Sequence, residues 1–140
     1  MKRLAFETVD VFAERRFGGN PLAVFTDARN LSDAEMQSVA REFNYSESTF
    51  VLPPRDTVNT ARVRIFTPTN EVPFAGHPNV GTAFVLGRLA SVFGRATGDV
   101  MRFEEEAGIV EVSLRRRAGE VSGARVRAAP AAAVRRPRRW

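Results

Sequence analysis

The chain holds one histidine, His77, within the stretch FAGHPNVGT at 74–82. An imidazole can donate or accept a proton near neutral pH. Gly76, directly before it, permits close backbone approach or a positive φ. An apolar run follows from Val80. If that run is helical, its start offers free backbone N–H groups and the positive end of a dipole. Such an end suits an anion or developing negative charge, with His77 at the rim. Taken alone, His77 also reads as a capping or packing residue.

Two further stretches carry chemistry-bearing side chains. NYSESTF at 44–50 sets Glu47 between the small hydroxyl residues Ser46 and Ser48. A carboxyl group there reads either as an exposed loop acid or, when partly desolvated, as a general acid/base able to move a proton at carbon. Ser46 or Ser48 could orient it. FGGNPLAVF at 17–25 places Asn20 in a glycine turn before an apolar strand. By itself this is a hairpin-like turn, although an amide such as that of Asn20 can also hold a carboxylate or amine.

Other chemistries are excluded. The chain has no cysteine, so it offers no thiolate nucleophile, disulfide framework or thiolate metal site. A single histidine argues against an imidazole metal cluster, and a carboxylate-only metal site is a remote reading. Gly76, Gly81 and Thr82 echo a phosphate-binding loop, but the required lysine is missing, which excludes a nucleoside-triphosphate site.

The surrounding elements must position these groups. The pattern predicts strands at 4–12, 21–25, 48–52 and 60–67. It predicts a helix over NLSDAEMQSVAREFN, with Ser32 and Glu35 as a capping box and Asn44 as its end. A second helix is predicted from Val80 through Gly94, with Pro78 suited to its first turn. Through Ala90 its only charge is Arg88, and a helix apolar almost all round is a buried one. After it, Gly108 and Gly119 mark turns between three strands, with Val110, Val112 and Leu114 alternating against Glu111, Ser113 and Arg115. The expected fold is α+β, a curved or closed sheet around an enclosed helix.

The formal charge of the 140 residues is +5. Removing Arg135, Arg136, Arg138 and Arg139 leaves +1, so the basic balance belongs to the end of the chain. A nucleic-acid partner is therefore not expected from the body. The N-terminus lacks the apolar run of a signal peptide, and no stretch approaches the ~20 apolar residues of a membrane span. A cytoplasmic location is the default expectation, with no membrane partner.

In order and spacing, FGGNPLAVF at 17–25, NYSESTFV at 44–51 and FTPTNEVPFAGHPNVGTAFVL at 66–86 resemble the PhzF-like isomerases of phenazine biosynthesis. EEEAGIVEV at 104–112 fits that family's later strands, and the resemblance covers about residues 4–127. It implies a diaminopimelate-epimerase-like fold: two similar domains, each a strongly curved sheet around a central helix, with the active site in the cleft between them. It implies no metal and no organic cofactor. The family's acid/base glutamate falls on Glu47 and its active-site histidine on His77. Asn20 matches a cleft-facing position, and Gly76 and Gly81 match backbone that approaches substrate. Ser46 and Pro78 complete the expected substrate-contacting set.

The implied reaction is a proton shift on a small carboxylate-bearing metabolite, a dihydro-hydroxyanthranilate or similar. Residues 1–127 would form the first domain, and 128–140 a disordered or non-native arginine-rich tail. The resemblance places the second domain, and with it the other wall of the cleft, outside these 140 residues. Weak or no turnover is the resulting expectation for the chain alone, unless a homodimer supplies that wall. The rival readings are a noncatalytic fragment or scaffold, and a nucleic-acid binder acting through the tail.

Overall fold

The computed structural model describes residues 2–12, 15 and 17–127. The segment 128–140, expected to be a disordered or non-native tail, lies outside the described residues. The elements in chain order are β1 Phe6–Val11, β2 Asn20–Phe25, α1 Asp33–Phe43, β3 Glu47–Leu52, β4 Ala61–Phe66, β5 Glu71–Val72, α2 Gly76–Gly87, β6 Val100–Glu105, β7 Gly108–Arg117 and β8 Glu120–Arg127.

The strands form one mixed sheet in the order β1-β2-β3-β4-β6-β7-β8, with β5 paired to β4. β2 runs parallel to β3, and β4 parallel to β6; the remaining pairs are antiparallel. α2 packs on β1 and β2 at one end of this order and on β7 and β8 at the other. A flat sheet cannot touch one helix with both of its ends, so the sheet curls around α2. The enclosed helix expected from its composition is therefore present.

The apolar residues divide into two cores on the two faces. Leu22, Val24, Val51, Val63, Met101 and Phe103 point inward with Ala83, Val85 and Leu86 of α2. The outer face of β2, β3 and β4 meets α1 through Phe25, Phe50, Phe66, Met36 and Ala40. Phe25 and Phe50 stack at 4.8 Å, and Phe66 meets Phe50 edge-on at 5.3 Å. Such pairs add roughly 0.5–1.5 kcal/mol beyond the burial of their area.

α1 begins as its sequence predicts. The Ser32 side chain accepts from the Glu35 amide at 3.1 Å, and the Ser32 amide donates to the Glu35 carboxylate at 2.9 Å. Asn44 ends the helix in the left-handed region, with φ 55°. α2 differs from its sequence expectation. It starts four residues before Val80, at Gly76, and ends at Gly87 rather than continuing to Gly94. Pro78 falls within the first turn, where no helical acceptor would have served its missing N–H. Beyond Gly87 the chain turns back on itself. Phe93 and Gly94 adopt positive φ, and Val92 pairs with Arg95 in an isolated bridge. Val92 still reaches the core, but from a turn.

Candidate functional site

The register of the sheet collects the candidate groups at one end of α2. Leu22 of β2 pairs with Glu47 of β3 in a parallel ladder. Leu22, Val24 and Val51 face inward, so the two-residue alternation of strands turns Asn20, Glu47 and Thr49 inward as well. β4 runs against β3, and β6 runs with β4. The starts of β2 and β3 and the end of β6 therefore lie at the same edge of the curl, where α2 begins.

Helix and strand also match in length there. The Thr49 and Thr82 hydroxyls, both fully buried, share a hydrogen bond of 2.8 Å. From Thr49 back to Glu47 is two strand residues, about 7 Å. From Thr82 back to His77 is five helical residues, about 7.5 Å. The threonine pair thus sets helix against strand so that Glu47 meets His77. His77 Nε2 lies 3.2 Å from Glu47 Oε2, with the two side chains only 11% and 20% exposed. The contact lacks the alignment of a hydrogen bond, and neither atom has another partner. Two buried atoms of titratable side chains are therefore in contact while neither is hydrogen-bonded.

The helix start adds donors. Ala75 is the N-cap, and no side chain caps the helix. The amides of Gly76 and His77 consequently lack both a helical acceptor and a side-chain cap. Gly76 is exposed, and a Cβ built on it would meet nothing within 4 Å. Its φ is helical rather than positive.

The other expected residues divide. Asn20 is exposed at the first position of β2, on the face and edge that carry Glu47. Ser46 is exposed in the loop directly before Glu47. Pro78 is buried in the first turn of α2. Gly81 lies one turn deeper, buried against the sheet: a Cβ there would stand 2.5 Å from Leu22 Cδ2 and 2.8 Å from Val11 Cγ2. Its visible task is to let helix and sheet approach closely, a packing position instead of the open backbone of Gly76.

Two polar residues at this edge escaped the sequence reading. Asn79 is fully buried, and its Nδ2 donates to the Ala75 carbonyl at 3.0 Å and to Glu105 Oε1 at 3.2 Å. Burial pushes the Glu105 carboxyl up to about 8, against a smaller opposing pull from the Asn79 hydrogen bond. The signal was available. Met101 and Phe103 face inward, so alternation puts Glu105 on the same apolar face. The flanking glutamates Glu104 and Glu106 break the apolar pattern that would have extended that face.

A family model described as "Phenazine biosynthesis-like protein" (PhzC-PhzF) matches residues 9–139. The chain belongs to this family. It is 47% identical over 116 residues to the trans-2,3-dihydro-3-hydroxyanthranilate isomerase of Pseudomonas aeruginosa, an alignment covering 83% of this chain and 39% of that protein. An uncharacterized isomerase of Mesorhizobium japonicum is 47% identical over 110 residues, covering 79% of this chain and 35% of the relative. Among solved structures, the PhzF-family phenazine biosynthesis protein of Bacillus anthracis superposes with a TM-score of 0.73 at 31% identity, covering 86% of this chain and 39% of that one. The PhzF-like chain thus spans well under half the length of these relatives. Its α+β curved sheet is the fold that the resemblance implied.

Proposed function

We propose that this domain supplies the acid/base half of a cofactor-independent isomerase site acting on a small carboxylate-bearing metabolite. The observation that carries the reading is the buried contact of 3.2 Å between Glu47 and His77, with neither contacting atom hydrogen-bonded. In the proposed step the Glu47 carboxylate takes a proton from one substrate carbon. The released electron pair shifts the neighbouring double bond, and the same carboxyl returns the proton to the carbon where the pair arrives. One group serving as base and then as acid balances the reaction. The uncapped amides of Gly76 and His77 suit the substrate carboxylate or the charge that develops beside it. Asn20, on the same edge, offers an amide for orientation, and Ser46 a hydroxyl beside the carboxylate.

The Pseudomonas aeruginosa relative's name supplies the substrate to try, trans-2,3-dihydro-3-hydroxyanthranilate. Gly76, Ser46 and Asn20 leave the flank of the site open to water, so turnover by this chain alone is expected to be slow. The test is deuterium incorporation from D2O into that substrate, with Glu47→Gln as the control. The variant should reduce exchange by at least about 100-fold, the usual contribution of a positioned acid/base. Substrate should also shift the amide NMR signals of Gly76 and His77 in both proteins. Equal exchange in the two proteins, or amide signals indifferent to substrate, would overturn the proposal.

A further inference from the structure

The pairing of Asn79 with Glu105 has two loose ends. Asn79 Nδ2 donates to Glu105 Oε1 at 3.2 Å. The remaining oxygens of the two groups, Asn79 Oδ1 and Glu105 Oε2, are both buried and both without a partner. Two acceptors cannot satisfy each other. One proton on Oε2 would make it a donor, and a bond from it to Oδ1 would close a cyclic acid–amide pair in which each buried atom is used.

We propose that Glu105 is held as a neutral carboxylic acid in a two-hydrogen-bond pair with Asn79, and that this pair is a positioning device for the first turn of α2 and hence for His77. Asn79 is two residues from His77, and its Nδ2 also holds the Ala75 carbonyl at 3.0 Å. The amide therefore ties the N-cap, the first turn and the end of β6 together at the edge where Glu47 meets His77. The expected high proton affinity of Glu105 agrees with this arrangement, since burial is its largest cause.

The charged groups packed around Glu105 do not supply a competing partner. On β4 and β5, Arg64 is engaged by Glu71 at 2.9 and 2.7 Å and by Asp33 at 2.6 Å. Glu104, on the opposite face of β6, accepts from the Arg55 and Asp56 amides and from Asn59. Arg55, Arg62 and Glu106 line the open depression beside Glu105. On α2, the His77 ring faces Glu47. The inference rests on the isomerase reading only where His77 is concerned; the protonation of Glu105 stands apart from it.

The experiment compares the full chain with Glu105→Gln, whose amide mimics the neutral acid. The raised affinity means that the folded state keeps a proton that the unfolded chain has lost. Stability conferred by Glu105 is therefore complete below about pH 4.5, falls as pH rises toward 8, and is flat beyond. Between about pH 5 and 7.5 the unfolding constant of wild type should rise about tenfold per pH unit relative to Glu105→Gln. Carboxyl carbon NMR on wild type alone should show one glutamate titrating near pH 8, so the test survives a variant that does not fold. His77 gives a single histidine ring signal. In wild type that signal should show an inflection near pH 8 that Glu105→Gln lacks. All glutamates titrating below pH 6, or parallel stability curves, would overturn the neutral pair. A His77 signal that follows the same curve in both proteins would overturn the positioning role, whatever the deuterium-exchange assay finds.

Discussion

Replacing Gly81 by alanine measures how tightly α2 is held inside the sheet. The added methyl would lie 2.5 Å from Leu22 Cδ2, 2.8 Å from Val11 Cγ2 and 3.3 Å from Val9 Cγ2. Ordinary carbon contacts begin near 3.5 Å, so the neighbours must give by up to about 1 Å. Leu22 is fully buried and Val11 nearly so, which leaves little room to yield. Overpacking of this kind costs roughly 1–3 kcal/mol. Alanine regains about 0.8–1 kcal/mol in helix propensity over glycine. The net expectation is a destabilisation of up to about 2 kcal/mol, a fall in Tm of up to roughly 8 °C for a domain of this size. Gly76→Ala is the matched control, because its methyl meets nothing within 4 Å on the same helix; its Tm should equal or exceed that of wild type. Thermal melts of the three proteins by circular dichroism decide the matter. A Gly81→Ala protein as stable as Gly76→Ala would refute the argument, since helix and sheet would then be further apart than the curl requires.

Thr82→Val strands the buried Thr49 hydroxyl and should cost about 1–3 kcal/mol in urea unfolding, with much of that recovered in the Thr49→Val/Thr82→Val double variant. Full additivity of the two changes would argue against their hydrogen bond. Burial pushes the Glu104 carboxyl up, but hydrogen bonds from Asn59 and from the Asp56 and Arg55 amides outweigh it and hold the group below the usual carboxylate range. A depressed value confers stability above about pH 4.5 that is lost as pH falls through the folded value. Glu104→Gln should accordingly melt lower than wild type at pH 7 and converge with it on acidification. Ser32→Ala removes the α1 capping box and should cost about 1 kcal/mol by chemical denaturation, leaving deuterium exchange at the Glu47 site unchanged because α1 packs on the opposite face of the sheet.

The sequence determined by itself what could be encoded locally. Ser32 and Glu35 specify the start of α1 because a capping box closes within four residues. Val110, Val112 and Leu114 specify the inner face of β7 because side chains alternate along a strand. The nearly uniform apolar character of α2 required an enclosing sheet, and the sheet curls around it. Glu47 and His77 were legible as acid/base candidates from residue type and neighbours. Where α2 begins was less legible: free N–H groups at a helix start leave little local trace, and Pro78 fits more than one position in the first turn.

Only the tertiary structure could decide distances between groups far apart in the chain. The contact of Glu47 with His77 depends on the Thr49–Thr82 bond and on the near equality of two strand steps and five helical steps. Neither is visible until β3 and α2 lie side by side. Gly81 belongs to packing because Leu22 and Val11 converge on it from other strands. Glu105 carries no local mark of burial, which comes from the inward face of β6 and the first turn of α2. Burial is a property of what surrounds a side chain, and for these residues the surroundings come from elements that folding alone brings together.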